Sequence, residues 1–230
     1  EYETALALSD TTDNSAALTE WDGYEADVTL TRTLQAGGWN TLAVPFDLAI
    51  PSRWTVKELT KTTYNEDTQS LTLIFDDAQS IEAGKPYLVK IASESNIDLS
   101  TAPFSNVVVK NTSVEDGTVT CDYAKFVPVV NRENLAANQN ILFVKGGNTL
   151  TFPEAEGYIN GFRAYFLLTD GAAQARAFTL NFGDGETTDI SLTPNPSPNG
   201  EGSTYDLQGH RVRSAQKGVY IVNGKKTVVK

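Results

Sequence analysis

The chain has 230 residues, of which 40% are hydrophobic and 20% charged. That is the composition of an ordinary globular protein, not a disordered one. Lys and Arg total 18 against 29 Asp and Glu, a net charge of −11 with a pI near 4.5. A surface this acidic argues against nucleic acid and anionic membranes, which need phosphate neutralisation. The single cysteine, Cys121, rules out an internal disulfide and a cysteine-rich zinc site. No window approaches about 18 consecutive apolar residues, so no membrane-spanning segment is expected. The chain has no methionine, not even an initiator. A removed signal or lipoprotein segment, or a chosen boundary, would account for that.

Taken in order, Glu1 to Leu8 reads as a first strand, and Asp10 to Asn14 as a turn-rich loop. Asn14 or Ser15 is placed to cap a short helical turn through Leu18. Trp21-Asp22-Gly23-Tyr24 is a turn signal. Asp27 to Leu34 is a strand with Val28, Leu30 and Leu34 on one face and threonines on the other. Gly37-Gly38 then leads into Trp39-Asn40-Thr41-Leu42-Ala43-Val44-Pro45-Phe46, a strand predicted to end at Pro45 or lie at a sheet edge. These two strands are expected to form a hairpin. Trp54–Tyr64 and Ser70–Phe75 read as a second hairpin, with Leu71, Leu73 and Phe75 inward.

Tyr87–Ile91, Phe104–Lys110 and Thr118–Val127 follow as strands, the last with a phase slip that predicts a β-bulge near Ala124. Asn131–Asn138 is a short helical candidate. Ile141–Val144 is continuously apolar, as in a strand covered on both faces, and turns into Thr149–Phe152. Phe162–Leu168 and Arg176–Phe182 are expected to pair, with Phe178, Leu180 and Phe182 inward. Residues 188–203 carry Pro194, Pro196, Pro198, Gly200 and Gly202 among polar residues, the chemistry of a linker. Residues 204–230 end in β-rich runs about Asn223-Gly224, a two-residue hairpin signal. So short a tail is expected to dock on the body or on another molecule.

Chemistry-bearing constellations are sparse. The only histidine, His210, lies in the tail and would have to reach into the body to build a Ser-His-Asp arrangement. Asp76-Asp77, Glu66-Asp67 and Asp184/Glu186/Asp189 are carboxylate candidates for a glycosidase pair, which needs about 5–9 Å between carboxyls. Neighbours on a strand, however, point to opposite faces. Asp10, Asp13 and Asn14, or the Gly183–Glu186 turn, offer calcium-type oxygens without the Asp-x-Asp-x-Asp-Gly spacing. Cys121 reads as a small apolar residue between Val119 and Tyr123. Trp39 and Trp54 fall on strand patterns and read as core. Trp21 and Tyr24 are the candidate ligand-binding residues: exposed together they would form a platform for a sugar ring, otherwise they plug the end of the fold.

The segments GGWNTLAVPFDL, IEAGKPYLVK, NILFVKGGNTLTFP, GFRAYFLL and ARAFTLNFGDGETTDI occur in that order within residues 1–190. In this pattern the chain resembles secreted and surface modules of Bacteroides and Prevotella relatives. The tail, with YDLQGHRV and KGVYIVNGKKTVVK, is similar to C-terminal sorting-type sequences of that phylum. The resemblance implies export and a cell-surface or extracellular address.

Together these readings predict an all-β chain: an antiparallel β-sandwich of Greek-key or jelly-roll type over residues 1–187, a linker over 188–203, and a C-terminal β-hairpin over 204–230. The expected function is that of a non-enzymatic surface module for adhesion or surface architecture. It needs no cofactor or metal, and its partner is a surface protein or glycan. A glycan-binding module is the alternative, and a two-carboxylate glycoside hydrolase the third reading.

Overall fold

The structure, a computed structural model, describes residues 4–135, 140–145, 149–153 and 155–183, and the strands Thr187–Ser191, Thr204–Tyr205, Arg211–Val212, Gly218–Val222 and Lys225–Val229. The chain is all-β, as its alternating patterns predict. Two compact units divide it, Glu1–Leu192 and Thr193–Lys230.

In the larger unit a six-stranded sheet has the order Thr187–Ser191, Ala177–Asn181, Ser70–Asp77, Trp54–Asn65, Tyr87–Ile91, Trp39–Leu42. A five-stranded antiparallel sheet has the order Val119–Thr120, Ala124–Val129, Arg163–Leu168, Ile141–Lys145, Thr149–Thr151. A three-stranded sheet joins Ala5–Leu8, Glu25–Leu30 and Phe104–Val108. Two pairings are parallel, Ala5–Leu8 with Glu25–Leu30 and Ala177–Asn181 with Ser70–Asp77, where an antiparallel fold was expected.

The six-stranded sheet serves two cores. On one side Leu71, Leu73, Phe75, Leu88, Phe178 and Leu180 meet Phe126, Leu142, Ala164, Phe166 and Leu168 of the five-stranded sheet. On the other, Val56, Tyr87, Val89 and Ile91 meet Leu6, Leu8, Val28, Leu30 and Val107 of the three-stranded sheet, with Leu18 from the helix Ser15–Trp21. The two-residue period of a strand makes this possible: Tyr87, Val89 and Ile91 face one core while Leu88 faces the other. In Trp54–Asn65 the pairing register slips between Leu59 and Lys61. That extra residue switches parity, so Leu59 before it and Tyr64 after it pack against the same core.

Several expectations hold in detail. Trp54–Asn65 and Ser70–Asp77 pair antiparallel, and Leu71, Leu73 and Phe75 are fully buried. Trp39–Leu42 is an edge strand that stops before Pro45. Phe178, Leu180 and Phe182 point inward.

Others are corrected. Asp27–Leu34 is two strands rather than one, and neither pairs with Trp39–Leu42. Glu25–Leu30 joins the three-stranded sheet, Thr33–Leu34 pairs with Ile97–Asp98, and Trp39–Leu42 pairs with Tyr87–Ile91. The break falls where the Arg32 N–H turns back to the Leu30 carbonyl at 2.7 Å. Instead of a bulge near Ala124, the chain makes a hairpin: Val119–Thr120 folds onto Lys125–Phe126 through Cys121–Tyr123, and the turn resets the phase. Phe162–Leu168 and Arg176–Phe182 do not pair. Their strands lie in the two sheets that face each other across the aromatic core, because both are apolar on one side only. The helical candidate at Asn131–Asn138 contains a strand, Glu133–Leu135, paired with Gly157–Ile159. Residues 136–139 lie outside the described residues. The strand Thr187–Ser191 extends the body's sheet past the linker boundary read at 188, and 192–203 are outside the described residues.

The smaller unit is a four-stranded sheet, Arg211–Val212, Thr204–Tyr205, Gly218–Val222 and Lys225–Val229 in that order. Gly218–Val222 pairs antiparallel with Lys225–Val229, with Val222 opposite Lys225, and the expected turn at Asn223-Gly224 lies outside the described residues.

Candidate functional site

Trp21 and Tyr24 are separated in role by the fold. Trp21 is the last residue of its helix and packs, half-buried, against the core under the three-stranded sheet. Tyr24, whose N–H donates to the Trp21 carbonyl at 2.9 Å, is 66% exposed. Trp39 is buried and stacked on Phe182, with ring centroids 4.4 Å apart, and Trp54 is partly buried against the other core.

Of the acidic candidates, Asp76 and Asp77 are engaged as ties within the fold. Asp76 and Asp77 diverge: Asp76 accepts from Thr60 Oγ1 at 2.8 Å, and Asp77 pairs with the buried Lys57 at 3.1 Å. Lys57 Nζ also donates to the Phe182 carbonyl at 2.9 Å. Glu66 and Asp67 are exposed turn residues. Asp184, Glu186 and His210 lie outside the described residues, and Asp189 is placed in the edge strand Thr187–Ser191. Asp10, Asp13 and Asn14 do not converge. Asp13 accepts from the Ser15 N–H and hydroxyl, which holds its carboxyl below the usual range. Asn14 ties Ser9 to Asn131.

Asp10 is buried and bound to Arg163 at 2.9 Å. Next to this pair sits Arg32, whose Nη2 donates to the Thr41 carbonyl at 2.8 Å while its buried Nε has no partner. Burial pushes the Arg32 guanidinium down to about 9, the like charge of Arg163 adds to this, and Asp10 opposes it. Arg32 was missed in the sequence, although it shares the parity of Val28, Leu30 and Leu34. Gly161 completes this junction: its N–H donates to the Asp10 carbonyl at 2.7 Å, and a Cβ there would lie 2.5 Å from the Val130 carbonyl oxygen. Cys121 is half-buried, and burial first, then Asp122, raises its thiol.

A pocket of about 180 Å³ opens between the helix Ser15–Trp21, the segment Lys110–Val114 and the end of the strand Ala124–Val129. Leu18, Pro45, Pro128 and Val130 supply apolar wall, and Lys110, Asn111, Asn131 and Glu133 supply polar wall. Its floor depends on glycine: Gly84 has φ +75°, and a Cβ there would lie 2.5 Å from Thr112 Cβ. Most polar side chains of the rim are committed. Lys110 pairs with Asp47, whose carboxyl is held low by that bond and by the Ala83 N–H. Asn111 Nδ2 donates to Thr19 Oγ1, and Asn131 Nδ2 to Ser15 Oγ. Glu133 is half-buried, which raises its carboxyl. The sequence reading missed it because it assigned this stretch to a helix.

Among the described residues, no group of three or more His, Cys, Asp or Glu side chains converges on a metal-sized site, and no helix is long and apolar enough to cross a membrane. Compared with protein-family models, curated proteins and solved structures, the chain has no significant match.

Proposed function

We propose that the chain is a non-enzymatic module of an exported bacterial surface protein, used for adhesion or for building surface architecture. The observation that carries this reading is where the charged side chains of the body are used. Asp10–Arg163 and Lys110–Asp47 join segments distant in sequence, and Lys57, paired with Asp77 across its own hairpin, reaches the distant Phe182 carbonyl. Groups spent in this way stiffen a layered body instead of attacking or activating a substrate. The exported address rests on the resemblance of GGWNTLAVPFDL and its companion segments to secreted modules, and on the sorting-type likeness of the tail. Purified full-length chain is expected to bind immobilised host or bacterial surface ligands and to leave a panel of polysaccharides uncut. Turnover of a glycan without any surface binding would overturn the reading.

A glycan-binding reading is favoured by one feature, the exposed ring of Tyr24. It predicts that Tyr24→Ala abolishes retention in polysaccharide-containing native gels. Unchanged migration with and without polysaccharide, for the unsubstituted chain, would remove it.

A further inference from the structure

The pocket between Ser15–Trp21, Lys110–Val114 and the end of Ala124–Val129 has an uneven supply of hydrogen-bonding groups. Each of these side-chain donors already makes one bond: Asn111 Nδ2 on Thr19, Asn131 Nδ2 on Ser15, the Ser113 hydroxyl on Asp116, and the Thr112 hydroxyl on the Ala83 carbonyl. The acceptors are less well served. The Glu133 carboxylate makes no hydrogen bond or ion pair among the described residues, and the Asn111 side-chain oxygen accepts none.

The nearby cations are committed elsewhere. Lys110 is held by Asp47, and the Arg132 guanidinium lies 4.0 Å from the Tyr158 ring centroid. A half-buried carboxylate without a counter-charge is costly to keep ionised, which is why burial raises it. A positively charged donor satisfies that carboxylate, and an ammonium or guanidinium is such a group. The walls suit an aliphatic stem leading to the charge: Leu18, Pro45, Pro128 and Val130 line the pocket, and Val114 stands 50% exposed at its rim.

We propose that this pocket takes a basic side chain, lysine or arginine, presented by a partner protein, with Glu133 as its counter-ion. A volume of about 180 Å³ accommodates one such side chain, and the chain's net charge of −11 favours the approach of a basic segment. The proposal rests on the adhesion reading and names the chemistry of its partner.

The test uses the full chain and three probes followed by amide NMR: the peptide acetyl-Gly-Lys-Gly-amide, the same peptide acetylated on the lysine, and methyl glucoside. The lysine peptide is expected to shift the amides of Lys110–Val114 and Glu133 saturably, and to bind at least tenfold more tightly than its acetylated form. Glu133→Gln should weaken it at least tenfold. Asn111→Asp, which adds a second negative acceptor, should tighten it several-fold and serves as the test should Glu133→Gln fail to fold. Equal binding of the charged and acetylated peptides, or saturation by methyl glucoside alone, overturns the proposal. Failure of this site and failure of the adhesion reading separate cleanly. Surface-ligand binding that survives Glu133→Gln removes the pocket from adhesion and leaves adhesion standing. Lysine-peptide binding by a chain that no surface ligand retains supports the pocket and removes adhesion.

Discussion

The two cores that share the six-stranded sheet are built differently. The core facing the five-stranded sheet is aromatic and interlocked: Phe75 lies within 6.3 Å, centroid to centroid, of each of Phe126, Phe166 and Phe182, and Phe126 stacks on Phe166 at 4.4 Å. The core under the three-stranded sheet is mostly aliphatic, and its margin holds buried polar groups, Asp10, Asn14, Arg32 and Asn40. Interlocking rings therefore dominate the first, which is also tied by buried Lys57 to the Phe182 carbonyl, by the Tyr123 N–H to Thr62 and by the Ala164 N–H to Thr41, while the second carries a charged cluster at its margin. A parallel strand, a helix and a broken strand arriving at one place need polar ties to set their register.

If that contrast is correct, the largest loss should come from the aromatic side. Phe75→Ala removes a fully buried ring from the middle of its cluster and should cost about 3–5 kcal/mol, read from the shift of the urea midpoint. A value below that for an ordinary aliphatic truncation would mean that the rings are not interlocked. Asp10→Ala should come next, at about 3 kcal/mol, because it strands Arg163 and Arg32 without their carboxylate. An effect within experimental error would show that the junction contributes nothing to holding the second core.

Trp21→Ala should cost roughly 2 kcal/mol, less than a fully buried ring because Trp21 is only half-buried, whereas Tyr24→Ala should stay within about 0.5 kcal/mol. This pair tests whether the two aromatics of one turn are divided between core and solvent.

The smallest effect is a pH dependence. The folded state holds Glu133's carboxyl above its usual value, so it binds that proton more tightly than the unfolded chain does. Below the ordinary glutamate range both states are protonated and there is no penalty. As pH rises through the raised folded value, stability falls. Glu133→Gln should flatten that decline in thermal melts taken just above the ordinary glutamate range, without lowering stability at neutral pH.

Much of the fold was legible because two-residue alternation reports one buried face directly, as in Leu71-Leu73-Phe75 and Phe178-Leu180-Phe182. Partner choice was not legible, because alternation says which side is buried and not against what. Phe162–Leu168 and Arg176–Phe182 have matching patterns and sit in different sheets. Arg32 stood at an inward position inside the strand read as Asp27–Leu34, but alternation does not supply the partner that lets a charge sit there, the Thr41 carbonyl. Glu133 was hidden because Glu-Asn-Leu-Ala-Ala has good helical propensity, and pairing with Gly157–Ile159 overrides it. The exposure of Tyr24 and the burial of Trp21 both lay within what a polar turn allows. Which ring went inside was decided by the helix running on to Trp21.

The strand Trp54–Asn65 gives Val56 to one core and Leu59 to the other. Neither hydrophobic interior can come apart without tearing residues from a segment the other still holds. The larger unit is therefore one cooperative block despite its dissimilar halves, and its heat absorption should form a single calorimetric peak whose van't Hoff and calorimetric enthalpies agree.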